Sequence, residues 1–107
     1  PRIAFENLVV VELLKQRFNQ GLDNNLFFYR DNHQNEVDVL ARHGNLFDTY
    51  EIKASETFHA AFLKGLNYIS SVIPDQIRTR NLVYSGWDEL ELQETRIVNF
   101  CHVKNED

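Results

Sequence analysis

Groups able to do chemistry are densest between Glu36 and Lys53, in the run Glu-Val-Asp-Val-Leu-Ala-Arg-His-Gly-Asn-Leu-Phe-Asp-Thr-Tyr-Glu-Ile-Lys. Gly44-Asn45 at its middle suits a two-residue hairpin turn between two strand-like runs. With that turn, His43 faces Leu46, Asp38 faces Glu51, and Glu36 faces Lys53. Side chains alternate along a strand, so Glu36, Asp38 and Leu40 share a side, and Thr49, Glu51 and Lys53 lie opposite them on it. Asp38 and Glu51 would then sit about 5 Å apart at Cβ, a costly pairing of like charges unless something positive lies between them. A divalent cation is the natural candidate, and carboxylate oxygens suit a hard one such as Mg2+ or Mn2+. The plain alternative is a solvated hairpin face on which Glu51 and Lys53 merely pair.

Asp38 followed by Glu51-Ile52-Lys53 resembles the Asp…(Asp/Glu)-x-Lys signature of the PD-(D/E)XK, restriction-endonuclease-like superfamily. The surroundings extend the likeness: Phe5-Glu6-Asn7 opens an apolar helix, Tyr29-Arg30-Asp31 ends a strand, and Glu36-Val37-Asp38 precedes Glu51-Ile52-Lys53-Ala54-Ser55. In that order, from Ile3 to Gly86, they resemble the nuclease-like domain that follows the ATPase in many prokaryotic AAA-type ATP-binding proteins. The resemblance implies an α/β restriction-endonuclease-like fold, a mixed central sheet with an antiparallel hairpin flanked by helices. It implies Mg2+- or Mn2+-dependent hydrolysis of DNA phosphodiesters. Asp38 and Glu51 would be direct metal ligands, with the backbone carbonyl of Ile52. Lys53 would orient the attacking water or stabilise the transition state, and Glu6 would act through water or a second ion. Glu36 would only pair with Lys53. The same fold could instead be a catalytically silent module for assembly or for holding nucleic acid.

The elements that must position these groups are legible in outline. Residues 2 to 18 read as a helix apolar around a wide arc (Leu8, Val9, Val11, Leu13, Leu14, Phe18) and therefore well buried. Glu6 lies on the side of Val10, Leu13 and Leu14. It is either a first-turn acid favoured by the helix dipole or a carboxylate held near the hairpin. Gly21 should cap this helix in the left-handed conformation. Residues 23 to 25 read as loop. Leu26 to Arg30 reads as a short strand buried on both faces, and His33 as a solvated residue of the polar turn that follows. Ser55 or Thr57 should start a second helix carrying Phe58, Phe62, Leu66, Ile69 and Ile73, ending before Pro74. His59 and Lys64 fall off that stripe, as exposed residues. Residues 75 to 80 read as a loop with two arginines and 81 to 85 as a strand parallel to the earlier sheet. Glu89 to Gln93 and Arg96 to Val103 read as two short final strands, or as one strand and a tail, with 104 to 107 fraying.

Length allows one domain, residues 1 to 107, and 43% hydrophobic and 25% charged residues are ordinary for a globular chain. No apolar run approaches the roughly 18 residues of a membrane span, and no signal peptide is visible, which fits a cytoplasmic location. The chain has no methionine and begins Pro-Arg-Ile, as a piece of a longer protein would. By the resemblance that protein is an ATPase and this its C-terminal part, a partner domain of the same chain; a homo-oligomer is compatible with it. Eleven Lys and Arg against sixteen Asp and Glu leave a formal charge of −5, the wrong sign for strong autonomous DNA binding. Any phosphate contact would fall to local residues such as Arg30, Arg78 and Arg80. One cysteine excludes a disulfide framework and suggests that Cys101 is a small core residue. No Gly-rich nucleotide loop, zinc spacing or Ser/Cys–His triad pattern occurs.

Overall fold

A computed structural model describes residues 2–23 and 25–105, with the side chains of 5–23 and 25–103. The first helix, α1 (Arg2–Asn19), closes where Gly21 takes φ +72° and the Leu22 N–H donates to the Arg17 carbonyl at 2.9 Å. That is the left-handed cap expected of this glycine. Strand β1 (Leu26–Arg30) leads into β2 (Glu36–His43), and Gly44-Asn45 returns the chain as β3 (Leu46–Lys53). Gly44 has φ +63°, and His43 pairs with Leu46 as the turn requires. A 3-10 turn (Ala60–Leu63) and helix α2 (Lys64–Val72) carry the chain over to β4 (Ile77–Tyr84), parallel to β3. Strands β5 (Leu90–Leu92) and β6 (Thr95–Asn99) form a second antiparallel pair, with β6 parallel to β4.

The architecture is α/β, a six-stranded mixed sheet in the order β1-β2-β3-β4-β6-β5 with one helix against each face. Alternation along the strands divides the core. Val39, Ala41, Tyr50, Ile52, Val83 and Val98 meet Val9 and Leu13 of α1; Leu40, Leu82, Tyr84 and Ile97 meet Leu66 and Ile69 of α2. Among the described residues, no helix is long and apolar enough to cross a membrane.

Several expectations are corrected by packing. Helix α1 buries one stripe, Val9, Leu13 and Arg17, while Leu8, Val11 and Phe18 face outward, Phe18 at 75% exposure. A single sheet face covers only one side of a helix, however wide its apolar arc. Strand β1 is not buried on both faces: it is an edge strand, and Phe27 and Phe28 are exposed. Ser55 does not cap α2. Its Oγ accepts from the Thr57 N–H at 3.2 Å and donates to the Thr57 carbonyl at 2.8 Å, a local turn, and α2 starts only at Lys64. The 75-to-80 loop is mostly strand, because β3 offers Ile77 and its successors a parallel ladder. Strand β6 stops at Asn99, and a 3-10 helix (Phe100–Asn105) follows, which leaves Cys101 exposed and puts Val103 in the core instead. That helix includes 104 and 105 of the segment expected to fray. Residues 106 and 107 lie outside the described residues, as does Asn24 of the 23-to-25 loop.

Candidate metal and catalytic site

The hairpin does bring Asp38 and Glu51 together, by a different route from simple pairing on one face. The β1–β2 register slips between Phe27 and Tyr29: Phe27 pairs with Leu40, but Tyr29 pairs with Val37. One residue of β1 thus lies opposite two of β2, Asp38 and Val39, which makes a bulge there. Its consequence shows in the core, where Val37 joins Leu40 on the α2 side while Val39 joins Ala41 on the α1 side. Regular alternation from Glu36 through Leu40 is therefore broken. The β2–β3 ladder runs from His43–Leu46 to Val39–Tyr50. Beyond it, the Asp38 Oδ2 accepts the Ile52 N–H at 2.8 Å, so a side chain stands where a main-chain carbonyl would continue the sheet.

From this gap the two carboxyls open onto different sides of the sheet. Asp38 lines a recess with Glu6, Asn7 and Val10 of α1. Glu51 lines a recess with Lys53, Lys64 and Gly65 on the α2 side. Gly65 makes the second arrangement possible. A Cβ there would stand 2.0 Å from the Glu36 carbonyl oxygen and 3.5 Å from Glu51 Oε2. Only glycine lets α2 come down onto the start of β2 and cover Glu51, which is 5% exposed.

Lys53 Nζ lies 3.5 Å from Glu51 Oε2 and 5.5 Å from the centre of the Phe62 ring, which holds the ammonium at the mouth of the recess. Glu36, expected opposite Lys53, instead takes the Arg30 guanidinium at 3.1 Å. The turn before it is fixed by Asp31, whose Oδ1 accepts the His33 and Asn35 N–H groups at 2.9 and 3.1 Å. His33 itself is exposed, as expected.

Burial, followed by hydrogen bonding with Asp38 and by its charge, pushes the Glu51 carboxyl up to about 9, against the pull of Lys53. Glu51 Oε1 is buried and has no hydrogen-bond partner. The expected placement of both carboxyls on one face is overturned: they interact at the gap between β2 and β3, but Asp38 lines the recess on the α1 side and Glu51 the one on the α2 side. A hard divalent cation would meet both only at the gap itself. Among the described residues no group of three or more His, Cys, Asp or Glu could hold a metal. An ion here would thus take Asp38 and Glu51, with backbone or water for the rest. The Ile52 backbone, the proposed third donor, adjoins the pair through the N–H it gives to Asp38. Glu6 lines the same recess as Asp38.

The arginines expected to meet phosphate are largely committed. Arg30 holds Glu36, Arg78 Nη2 donates to Asp48 Oδ2 at 2.9 Å, and Arg80, whose burial lowers its pKa, donates to Asn67. Asp48 also accepts from Thr79 Oγ1 at 2.6 Å, in a buried polar cluster that sequence reasoning missed. Nothing local marked it, because Asp48 lies in a strand that also carries Thr49, Glu51 and Lys53. Arg17 was also missed; its Nη2 donates to the Arg42 carbonyl at 2.8 Å and to Asp23 at 2.9 Å, which ties α1 to β2. Gly65 had a signal too, a glycine inside a helical pattern.

Residues 3–103 match the family described as "Domain of unknown function (DUF4143)". No curated protein and no solved structure matches the chain.

Proposed function

The chain belongs to the DUF4143 family, whose description assigns no activity, and from the site's geometry we infer that it is a PD-(D/E)XK, restriction-endonuclease-like domain that hydrolyses DNA phosphodiesters with Mg2+ or Mn2+. It would do so as the accessory domain of an AAA-type ATPase. One observation carries this reading: beside Asp38 lies the buried Glu51, whose Oε1 has no hydrogen-bond partner while Lys53 Nζ lies 3.5 Å from its Oε2. Asp38 and Glu51 would hold the ion, which when bound makes a water more nucleophilic and offsets charge on the scissile phosphate. Lys53, anchored by Glu51 and Phe62, would place its ammonium against the phosphate oxygens as negative charge grows there. Glu6, from the α1 side, would hold a water in the Asp38 recess. The bulge at Asp38 and the close approach of α2 position the two carboxyls.

A second reading, a catalytically silent module of the same fold, is favoured by a different observation. Asp38 Oδ2 is already engaged by the Ile52 N–H, and Arg30 and Arg78 are tied to carboxylates in a chain of −5 charge. Cleavage of single-stranded and plasmid DNA with Mg2+ or Mn2+ decides between them. Wild type should cut and Lys53→Ala should lose at least about a hundredfold in rate, within the range for one electrostatic or proton-handling group, with an unchanged circular dichroism spectrum. No cleavage by the wild type with either metal, or equal cleavage by the variant, sinks the hydrolytic reading.

A further inference from the structure

The recess on the α2 side carries more positive charge than its carboxyls take up. Its walls hold two ammoniums, Lys53 and Lys64, and the carboxyl of Glu51. Lys53 Nζ is shared with Glu51 Oε2 at 3.5 Å. Lys64 is exposed, and its ammonium has no partner among the described residues. Glu36, the other acid in the wall, gives its carboxylate to Arg30. Two cations therefore face one carboxyl, and the recess is positive even with that carboxyl ionised.

The groups around it are held in place. Lys64 is the first residue of α2, and a Cβ on the next residue, Gly65, would stand 2.0 Å from the Glu36 carbonyl oxygen, so this end of the helix rests directly on β2. Lys53 is kept at the mouth by the Phe62 ring. Across from them, Gln34 takes φ +63°, a left-handed conformation that a residue other than glycine holds only when its surroundings impose it. Here Asp31 imposes it through the His33 and Asn35 N–H groups. The Gln34 side-chain amide lines the recess and has no partner among the described residues. The recess measures about 150 Å³, against roughly 300 Å³ for the smallest pockets that enclose a drug-sized ligand. It has room for one tetrahedral oxyanion and none for a nucleoside.

We propose that this recess seats a single phosphate group between Lys53 and Lys64, with Lys64 as a second phosphate-holding residue. That the group belongs to a substrate rests on the hydrolytic reading of the Asp38–Glu51–Lys53 site. Phosphate oxygens accept charge-assisted hydrogen bonds from both ammoniums, and the Gln34 amide adds a neutral donor at the rim. Glu51 and Lys53 both line this recess, so a phosphodiester approaching the hydrolytic residues enters from this side, where Lys64 meets it. The net charge of −5 opposes long tracts of nucleic acid but not one group seated here. At physiological salt, exposed charges more than about 8 Å away are largely screened, and the nearest are the two lysines. A strand's phosphodiester, a terminal phosphate and free phosphate share this chemistry.

The test is a nuclear magnetic resonance titration of the 15N-labelled chain, in chelator near pH 7 and about 20 mM salt, where such contacts are strongest. The probes are inorganic phosphate, thymidine 5′-monophosphate, the dinucleotide TpT, and sodium chloride at matched ionic strength. Saturable shifts of the Gly65 amide and the Gln34 side-chain amide with at least one phosphate probe, at millimolar concentration, are the expected result. TpT among the binders names the backbone diester as the source; its absence names a terminal or free phosphate. Lys64→Ala should weaken binding about tenfold, in the range of one lost hydrogen bond to a charged group, and Lys64→Arg should recover most of it. No saturable shift, shifts that sodium chloride reproduces, or equal affinity in Lys64→Ala overturns the seat. Phosphate binding in a protein that never cleaves DNA keeps the seat and removes the hydrolytic reading. Cleavage by a wild type that shows none of these shifts does the reverse.

Discussion

Glu51→Gln should make the metal-free protein more stable, by an amount that grows with pH. In the unfolded chain Glu51 ionises near its ordinary value of 4.5, whereas in the fold burial, then hydrogen bonding with Asp38 and its charge, hold the carboxyl protonated up to about 9. A folded value above the unfolded one means that the native state binds the extra proton. Stability is therefore full below pH 4.5 and falls as pH rises towards 9. Each pKa unit corresponds to about 1.4 kcal/mol, so at pH 7 the upper limit is about 3.5 kcal/mol. Relaxation around Lys53, which is partly exposed, reduces this to about 1–2 kcal/mol. Glutamine keeps the shape of the neutral carboxyl and never ionises. Melting followed by circular dichroism in chelator, from pH 5 to pH 8, should give nearly equal midpoints at the acid end. At pH 7 the variant should be ahead by about 5–15 °C, at 4–8 °C per kcal/mol for a domain of this size, and further ahead at pH 8. A midpoint difference that stays constant across this range would refute the reasoning, since it would show that Glu51 titrates normally in the fold.

Manganese should raise the melting midpoint of the wild type, because an ion bound only by the native state stabilises it by mass action. Asp38→Asn should melt above the wild type in chelator and respond much less to the metal; equal responses would show that Asp38 is not a ligand. Gly65→Ala should cost about 1–3 kcal/mol in a urea titration, because its Cβ would stand 2.0 Å from the Glu36 carbonyl oxygen and α2 must lift to make room. A neutral effect there would mean that α2 does not rest on β2.

The centre of the hairpin was legible because its causes are local. Gly44 takes the positive φ that a two-residue turn needs, and the register from His43–Leu46 to Val39–Tyr50 follows by counting outward. The same counting fails at Asp38. Whether a strand bulges depends on both of its neighbours, and β1 on the far side imposes the extra residue. Extrapolated pairing therefore found the contact between Asp38 and Glu51 and misjudged its geometry, and it gave Glu36 to Lys53 when Arg30 of β1 was the nearer cation.

What the sequence determined by itself is what short range settles: the α/β order of elements, the Gly21 cap, the turn at Gly44, the stop before Pro74, and the acidic balance of the chain. Only the tertiary structure decided which apolar residues would be covered. Leu26 to Arg30 looks like a central strand by composition, yet strand order makes it an edge and exposes Phe28; α1 is apolar around most of its circumference, yet one sheet face buries only the stripe from Val9 to Arg17. The chemistry divides in the same way. Residue types named Asp38, Glu51 and Lys53, but the burial that keeps the Glu51 carboxyl protonated comes from α2, which can approach because residue 65 has no side chain. Burial and charge are properties of everything within a few ångströms, and most of those neighbours are distant along the chain.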